Sequence, residues 1–150
     1  MPGPVPDDDQ VADLVQRARA LREHAYAPYS GFRVGAVIIT ASGRRFEGVN
    51  VENASYRLTT CAEQTALARM CAEGAREEVV QVVVAGDGAD PCTPCGACRQ
   101  TIAEFGPSAL VHATGSVGDA RLTRTIGELL PDAFTPARLA GGDGGRDVRA

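Results

Sequence analysis

The chain has 150 residues with a formal net charge of −4, and 44% of its residues are hydrophobic. This length accommodates one domain with a hydrophobic core, and the composition is that of a globular protein. All 15 basic residues are arginine, which excludes Schiff-base lysine chemistry and a phosphate-binding loop that ends in Gly-Lys. An acidic balance without a basic stripe also argues against a polyanionic partner such as duplex DNA.

The N-terminal half is predicted to contain one helix followed by a β-hairpin. Residues 1–10 are rich in proline and aspartate; we expect a frayed segment, whose last aspartates cap the helix, and not a signal peptide. Apolar residues at helical spacing predict a helix from Val11 to His24. β-Branched residues predict a strand at 32–41, and a Ser-Gly turn leads to a return strand at 44–51.

The remainder alternates helices with strands. Thr59 or Thr60 is predicted to cap a helix that carries Cys61 and Glu63 in its first turn and stops near Gly74. The later elements are a strand at 79–85, a helix at 94–105, strands at 109–114 and 121–125, a helical stretch at 125–130 and a disordered glycine-rich tail at 141–150. This order predicts one α/β domain over residues 11–140, with a mixed sheet because the first connection is a hairpin.

Two cysteine segments carry the chemistry of the chain. They are Cys61-Ala-Glu63 and Pro94-Cys95-Gly-Ala-Cys98, and each falls where a helix begins after a strand. Three thiols from two segments can hold one zinc ion and leave its fourth position open, as a catalytic zinc requires. Glu63 would lie beside the metal without binding it. Helix N-termini would partly offset the excess negative charge of three thiolates.

The other cysteines leave an alternative open. Cys92 and Cys95 also form a C-x-x-C pair, so they could act as a redox dithiol, although that function would leave Cys61 and Cys98 unexplained. Clustered thiols in a chain that we expect to be cytoplasmic favour metal binding over structural disulfides. Cys71 is predicted to lie in the core. His24 and His112 are interpreted as structural or surface groups.

Taken together, these motifs resemble the homotetrameric zinc-dependent cytidine deaminases of the cytidine and deoxycytidylate deaminase family. The second cysteine segment continues as Arg99-Gln100, and similarity extends to residues 29–36, 48–56 and 128–134. The resemblance implies a three-layer α/β/α sandwich around a mixed five-stranded sheet. It also implies a cytoplasmic hydrolase of pyrimidine salvage that converts cytidine and 2′-deoxycytidine to the uracil nucleosides.

The resemblance further implies a role for each matching residue. One zinc ion per chain would be held by Cys61, Cys95 and Cys98, with Glu63 as the proton shuttle. Asn50 and Glu52 would bind the sugar hydroxyls, and Phe32 would face the pyrimidine. The other implied substrate contacts are Ala54, Tyr56, Ala62, Thr93 and, reaching into a neighbouring subunit of the homotetramer, Phe134. The implied partner is a small nucleoside, with neither a nucleic acid polymer nor a membrane.

Two residues depart from the family pattern. Gln64 stands where the pattern Cys-Ala-Glu-Arg places an arginine beside the zinc thiolates, and Arg57 stands where glycine or proline is usual. We hypothesise that Arg57 or Arg99 supplies the missing positive charge. Two alternative functions remain: a deaminase of a modified cytosine nucleoside such as a blasticidin-type antibiotic, and a non-catalytic zinc-binding module.

Overall fold

The computed structural model describes residues 7–140. Its first helix, α1, spans Asp8–Leu21, and the Asp7 side chain accepts a hydrogen bond from the Gln10 N–H at 2.8 Å. The helix therefore begins three residues before the predicted start, within the segment that was expected to be frayed, because Asp7 satisfies a free N–H of its first turn. The last predicted turn, Arg22–His24, is a 3₁₀ turn.

The sheet has five strands: β1 (Gly35–Thr40), β2 (Arg45–Val49), β3 (Val79–Ala85), β4 (Leu110–Thr114) and β5 (Arg121–Thr125). Their order is β2-β1-β3-β4-β5, and only the β3–β4 pair is parallel. The hairpin turns at Gly43, whose φ of +85° is readily adopted by glycine. The predicted mixed five-stranded sheet is therefore confirmed.

The other helices are α2 (Ala62–Ala72), α3 (Gly96–Phe105), α4 (Ile126–Leu129) and α5 (Pro136–Leu139). The predicted threonine cap of α2 is wrong, because Cys61 is the N-cap residue; Cys95 has the same position in α3. Both cysteines therefore immediately precede free helical N–H groups. None of the helices formed by residues 7–140 has the length and apolar character needed to cross a bilayer.

Helices cover both faces of the sheet, which gives the predicted three layers. On one face α1 packs on β1 and β3 through the buried side chains of Val11, Leu14, Val15, Ala18, Leu21, Val37, Val83 and Ala85. On the other face α2, α3 and α4 join a larger cluster, which includes Ile38, Phe46, Leu67, Met70, Val82, Val84, Ile102 and Ile126. The two cysteine segments, at the starts of α2 and α3, lie at one edge of this second face.

Two predictions about single residues have different outcomes. Cys71 is exposed, so the prediction that it lies in the core is wrong. It follows the buried Met70, and successive helical residues point about 100° apart, so it turns outward. His112 is buried on β4, in agreement with a structural role. The predicted tail at 141–150 and residues 1–6 lie outside the described residues.

Candidate active site

Three sulfur atoms from two helix starts meet at one point. The Sγ atoms of Cys61, Cys95 and Cys98 lie within 4.8 Å of one another, and those of Cys61 and Cys95 are 3.8 Å apart. Two sulfurs bound at about 2.3 Å to a tetrahedral zinc would be about 3.8 Å apart, so the spacing fits that ion. All five cysteines are free thiols, and Cys92 does not belong to the cluster. The geometry thus favours the metal interpretation over a dithiol.

The position of α2 depends on a glycine in β2. A Cβ atom at Gly48 would overlap Ala62 O, Thr65 Oγ1 and the Ala66 nitrogen, so only glycine lets α2 lie this close to the strand. The Thr65 hydroxyl adds a 2.8 Å hydrogen bond to Val49 O. These contacts hold the start of α2, and with it Cys61, beside the carboxyl end of β2.

Glu63 lies in the first turn of α2 and is 4% exposed. Burial raises the pKa of this carboxyl, because desolvation disfavours its charged form. A carboxyl whose pKa is moved toward neutrality can both accept and return a proton. Glu63 is therefore a buried carboxyl with a raised pKa in the helical turn that follows Cys61.

The thiols are electrostatically linked. A hydrogen bond from Cys98 lowers the pKa of Cys61 to about 6, and the same contact raises the pKa of Cys98. A divalent ion would stabilise the thiolate form of all three. Burial and the nearby negative groups raise the pKa of Cys92 to about 11, so it remains a thiol at neutral pH.

Two predicted sugar-binding side chains hold a loop of their own chain. Glu52 accepts hydrogen bonds from the backbone N–H groups of Tyr29 and Ser30, at 2.9 and 3.1 Å, and from the Ser30 hydroxyl at 2.5 Å. Asn50 donates to Phe32 O at 2.8 Å and accepts from the Val34 N–H at 2.9 Å. The two side chains therefore fix the loop that presents Phe32.

The remaining predicted substrate contacts are mostly exposed. Phe32 is 44% exposed, Tyr56 is 75% exposed and packs edge-on against Tyr29, and Ala54 lies on the same exposed loop. Ala62 is fully buried at the start of α2. Phe134 is 61% exposed after α4, and its carbonyl oxygen accepts a 2.9 Å hydrogen bond from the Gln100 side chain.

The three residues expected to adjust the charge of the cluster occupy different environments. Gln64 is half-buried beside Glu63 on α2, and Arg57 is exposed on a 3₁₀ turn. The guanidinium of Arg99 donates to Pro94 O, Leu129 O and Thr93 Oγ1, at 2.8, 2.9 and 3.5 Å. Among residues 7–140, neither arginine donates a hydrogen bond to a cysteine sulfur.

Sequence reasoning assigned no role to three residues that shape the site. Ser30 binds Glu52, Thr65 links α2 to β2, and Gln100 contacts the C-terminal segment. Ser30 and Gln100 lie inside the segments that carry the family resemblance, so their presence was visible although their contacts were not. Thr65 gives no comparable signal.

The fold and the cluster define a metal-binding α/β protein with one buried carboxyl beside the metal ligands. The family model described as the cytidine and deoxycytidylate deaminase zinc-binding region matches residues 8–114. A cytidine deaminase of Halalkalibacterium halodurans is 46% identical over 122 residues, which cover 81% of this chain and 92% of that protein. A cytidine deaminase of Sporosarcina psychrophila is 42% identical over 131 residues, with coverages of 87% and 95%.

Solved structures of cytidine deaminases also match this chain. The crystal structure of cytidine deaminase from Burkholderia pseudomallei matches with a TM-score of 0.78 and 48% identity, over 82% of this chain and 98% of that one. The cytidine deaminase structure from Mycobacterium tuberculosis matches with a TM-score of 0.70 and 34% identity, over 86% and 98% of the two chains. The chain belongs to the cytidine and deoxycytidylate deaminase family. Its cysteine cluster fits one zinc ion per chain.

Proposed function

We propose that this protein is a cytidine deaminase, a hydrolase that converts cytidine and 2′-deoxycytidine to uridine and 2′-deoxyuridine with release of ammonia. The observation that carries the proposal is the cluster of three sulfurs beside the buried Glu63, in a chain of this family. The relatives named cytidine deaminase cover most of the chain at more than 40% identity. The product nucleosides suit a role in pyrimidine salvage.

The proposed zinc ligands are Cys61, Cys95 and Cys98. When bound there, zinc supplies a water molecule activated for attack at neutral pH. The free N–H groups at the starts of α2 and α3 stabilise the thiolates, because helix N-termini carry partial positive charge. Gln64, Arg57 and Arg99 would adjust the remaining charge from outside the ligand set.

Glu63 moves the protons of the reaction. Its carboxylate takes the proton that the attacking water releases and gives it to N3 of the pyrimidine. It then carries a second proton to the leaving amino group. Water is consumed and ammonia is released, so the C4 carbonyl forms without any oxidant or further reactant. Burial of Glu63 suits this exchange because it raises the pKa of the carboxyl toward the pH at which the enzyme works.

Substrate contacts are proposed for the residues around this centre. Phe32 would face the base, while the backbone at Ala54 and Ala62, with Thr93, would contact its polar edge. Asn50 and Glu52 would bind the sugar with the hydrogen-bonding capacity that remains beyond their contacts to the loop. Tyr56 would border the sugar side.

We also propose a cytoplasmic homotetramer in which Phe134 contacts a neighbouring subunit's site. Exposed aromatic and apolar residues near the candidate site support assembly: Tyr26, Tyr29, Val51, Tyr56, Leu58 and Phe134. Five free thiols suit a reducing compartment. Light scattering of the purified protein should give four times the 15.6 kDa mass of the chain.

The first experiment measures cytidine absorbance and zinc content on the same preparation. Cytidine and 2′-deoxycytidine should lose their absorption band, with about one zinc per chain. The Glu63→Gln variant should lose activity by roughly 10²–10⁴-fold and keep its zinc, because it removes the proton shuttle and no ligand. Glu73→Gln, at the exposed end of the same helix, is the matched control and should remain active.

Two results would contradict the proposal. One is a zinc-loaded wild-type protein that deaminates neither nucleoside. The other is full activity of the Glu63→Gln variant, which would make the carboxyl dispensable.

A further inference from the structure

Two consecutive side chains after Cys98 reach the C-terminal segment of the chain. Arg99 donates to Leu129 O at 2.9 Å, and Gln100 donates to Phe134 O at 2.9 Å. Both acceptors are backbone carbonyls, so the contacts hold the path of the chain whatever side chains it carries. The helix that contributes Cys98 to the cluster is therefore tied directly to the segment that carries Phe134.

Arg99 also contacts the loop that leads to Cys95. Its Nε donates to Pro94 O at 2.8 Å, and its remaining amino group lies 3.5 Å from Thr93 Oγ1. Pro94 directly precedes Cys95, and Leu129 is the last residue of α4. One guanidinium thus joins the loop that leads to a cysteine of the cluster with the last carbonyl of a short helix, which has no partner within that helix.

The segment after α4 has few other constraints. The helix itself is four residues long, and α5 begins only at Pro136. Between them Asp132 has a φ of +54°, and Phe134 is 61% exposed, so burial of its side chain does not fix it within one chain. Leu129 packs against the core, and for residues 131–134 the bond from Gln100 to Phe134 O is the hydrogen bond found within residues 7–140, so it is the contact that holds Phe134 in place.

We propose that Arg99 and Gln100 are positioning residues that couple the cysteine cluster to the segment carrying Phe134. This inference rests on the proposed function for its effect on catalysis, because Phe134 would complete the nucleoside site of a neighbouring subunit. Gln100 acts on the segment alone, whereas Arg99 acts on the segment and on the loop before Cys95. Their substitutions therefore have different signatures.

The direct test places a tryptophan at the reporting position. The chain contains no tryptophan, so a Phe134→Trp variant has a single indole whose anisotropy and acrylamide quenching report the order of the segment. Adding Gln100→Met, which keeps the side-chain length but removes the donor, should lower the anisotropy and increase quenching. Thr101→Ala is the matched control, because the one hydrogen bond that the Thr101 hydroxyl makes within residues 7–140 is to Ala97 O, inside α3. Zinc content should remain the same in all three proteins.

Kinetics then connect the position of the segment with the reaction. Gln100→Met should raise KM for cytidine roughly three- to tenfold, as the loss of one hydrogen bond allows, with little change in kcat. Phe134→Ala should also raise KM, and the double variant should be no worse than Phe134→Ala alone, because both changes remove the same contact. Additive effects on KM would overturn the coupling.

The Arg99→Lys variant tests the contact between Arg99 and the loop before Cys95. Lysine keeps the charge but lacks the planar fork that serves three acceptors at once, so zinc should pass to a chromophoric chelator faster than from the wild-type protein. Unchanged release would overturn the role of Arg99 at the loop. An indole signal unaffected by Gln100→Met would overturn the role of Gln100. A wild-type protein without deaminase activity would contradict the proposed function while leaving the fluorescence test intact.

Discussion

The two faces of the sheet are each approached closely by a helix, yet only one carries a reactive centre. On the first, α1 packs over β1, where a Cβ at Gly35 would overlap Ala18 O. On the second, α2 packs over β2, where a Cβ at Gly48 would overlap Ala62 O. The two arrangements are alike in their packing. They differ in what lies at the N-terminus of the helix.

The difference lies in the residue at the start of each helix. α2 and α3 begin at the carboxyl ends of β2 and β3, so their free N–H groups converge on the edge where Cys61 and Cys95 are the N-cap residues. α1 begins at Asp7, a carboxylate that satisfies its first turn within the chain. A helix start becomes a reactive centre when its N-cap residue supplies a metal ligand and another start lies beside it. The α1 face is therefore scaffold.

The largest expected effect is the loss of the metal. Cys98 is fully buried on α3 and contributes one of the three sulfurs, so Cys98→Ser should remove most zinc and reduce deamination below detection. Cys71→Ser is the matched control, because this thiol is exposed and lies outside the cluster. Metal analysis and cytidine turnover on both variants give the comparison. Zinc loss in Cys71→Ser instead would show that the cluster is wrongly assigned.

The two glycines test the faces directly. Gly48→Ala and Gly35→Ala should each destabilise the protein by about 1–3 kcal/mol, since each forces a helix away from its strand. Only Gly48→Ala should also speed the release of zinc, because it displaces the start of α2 and with it Cys61. Urea unfolding measures the first effect and chelator competition the second. Equal zinc release from both variants would remove the distinction between the faces.

Much of the reactive centre could be predicted from the sequence because its determinants are local. Cys95 and Cys98 are three positions apart at a helix start, and Cys61 and Glu63 share the start of another helix. The order of strands and helices then brings the two starts to one sheet edge. Residue types and short spacings were enough, and the structure places the three sulfurs together.

The surroundings of the centre could not be predicted in the same way. The contacts of Glu52 with Tyr29 and Ser30 join parts of the chain more than twenty residues apart, and Gln100 and Phe134 are 34 positions apart. Nothing in the local sequence encodes which carbonyl or carboxylate a loop will meet. An aspartate cap of α1 was predicted and Asp7 supplies it, whereas Cys61 was missed as the cap of α2 because the neighbouring threonines are the usual capping residues.

The smallest expected effect concerns His112, which is in register with Val83 of the α1 face. His112 lies on β4, its Nδ1 is 2.9 Å from Thr123 Oγ1, and its Nε2 has no hydrogen-bond partner among residues 7–140. Burial, and then the positive charge of Arg121, lowers the pKa of this imidazole, so the folded state holds it neutral. The unfolded chain takes up a proton at about pH 6.5, before the folded chain does.

Stability should therefore be complete above that pH and decline as the pH falls toward the lowered pKa of the folded state. One proton limits the slope to about 1.4 kcal/mol per pH unit. His112→Gln, which does not titrate, should flatten the decline in urea unfolding between neutral and mildly acidic pH. His24→Gln is the control, because His24 is the other histidine of the chain and is exposed. If His24→Gln flattened the slope and His112→Gln did not, the buried imidazole would not be the group that makes this face sensitive to acid.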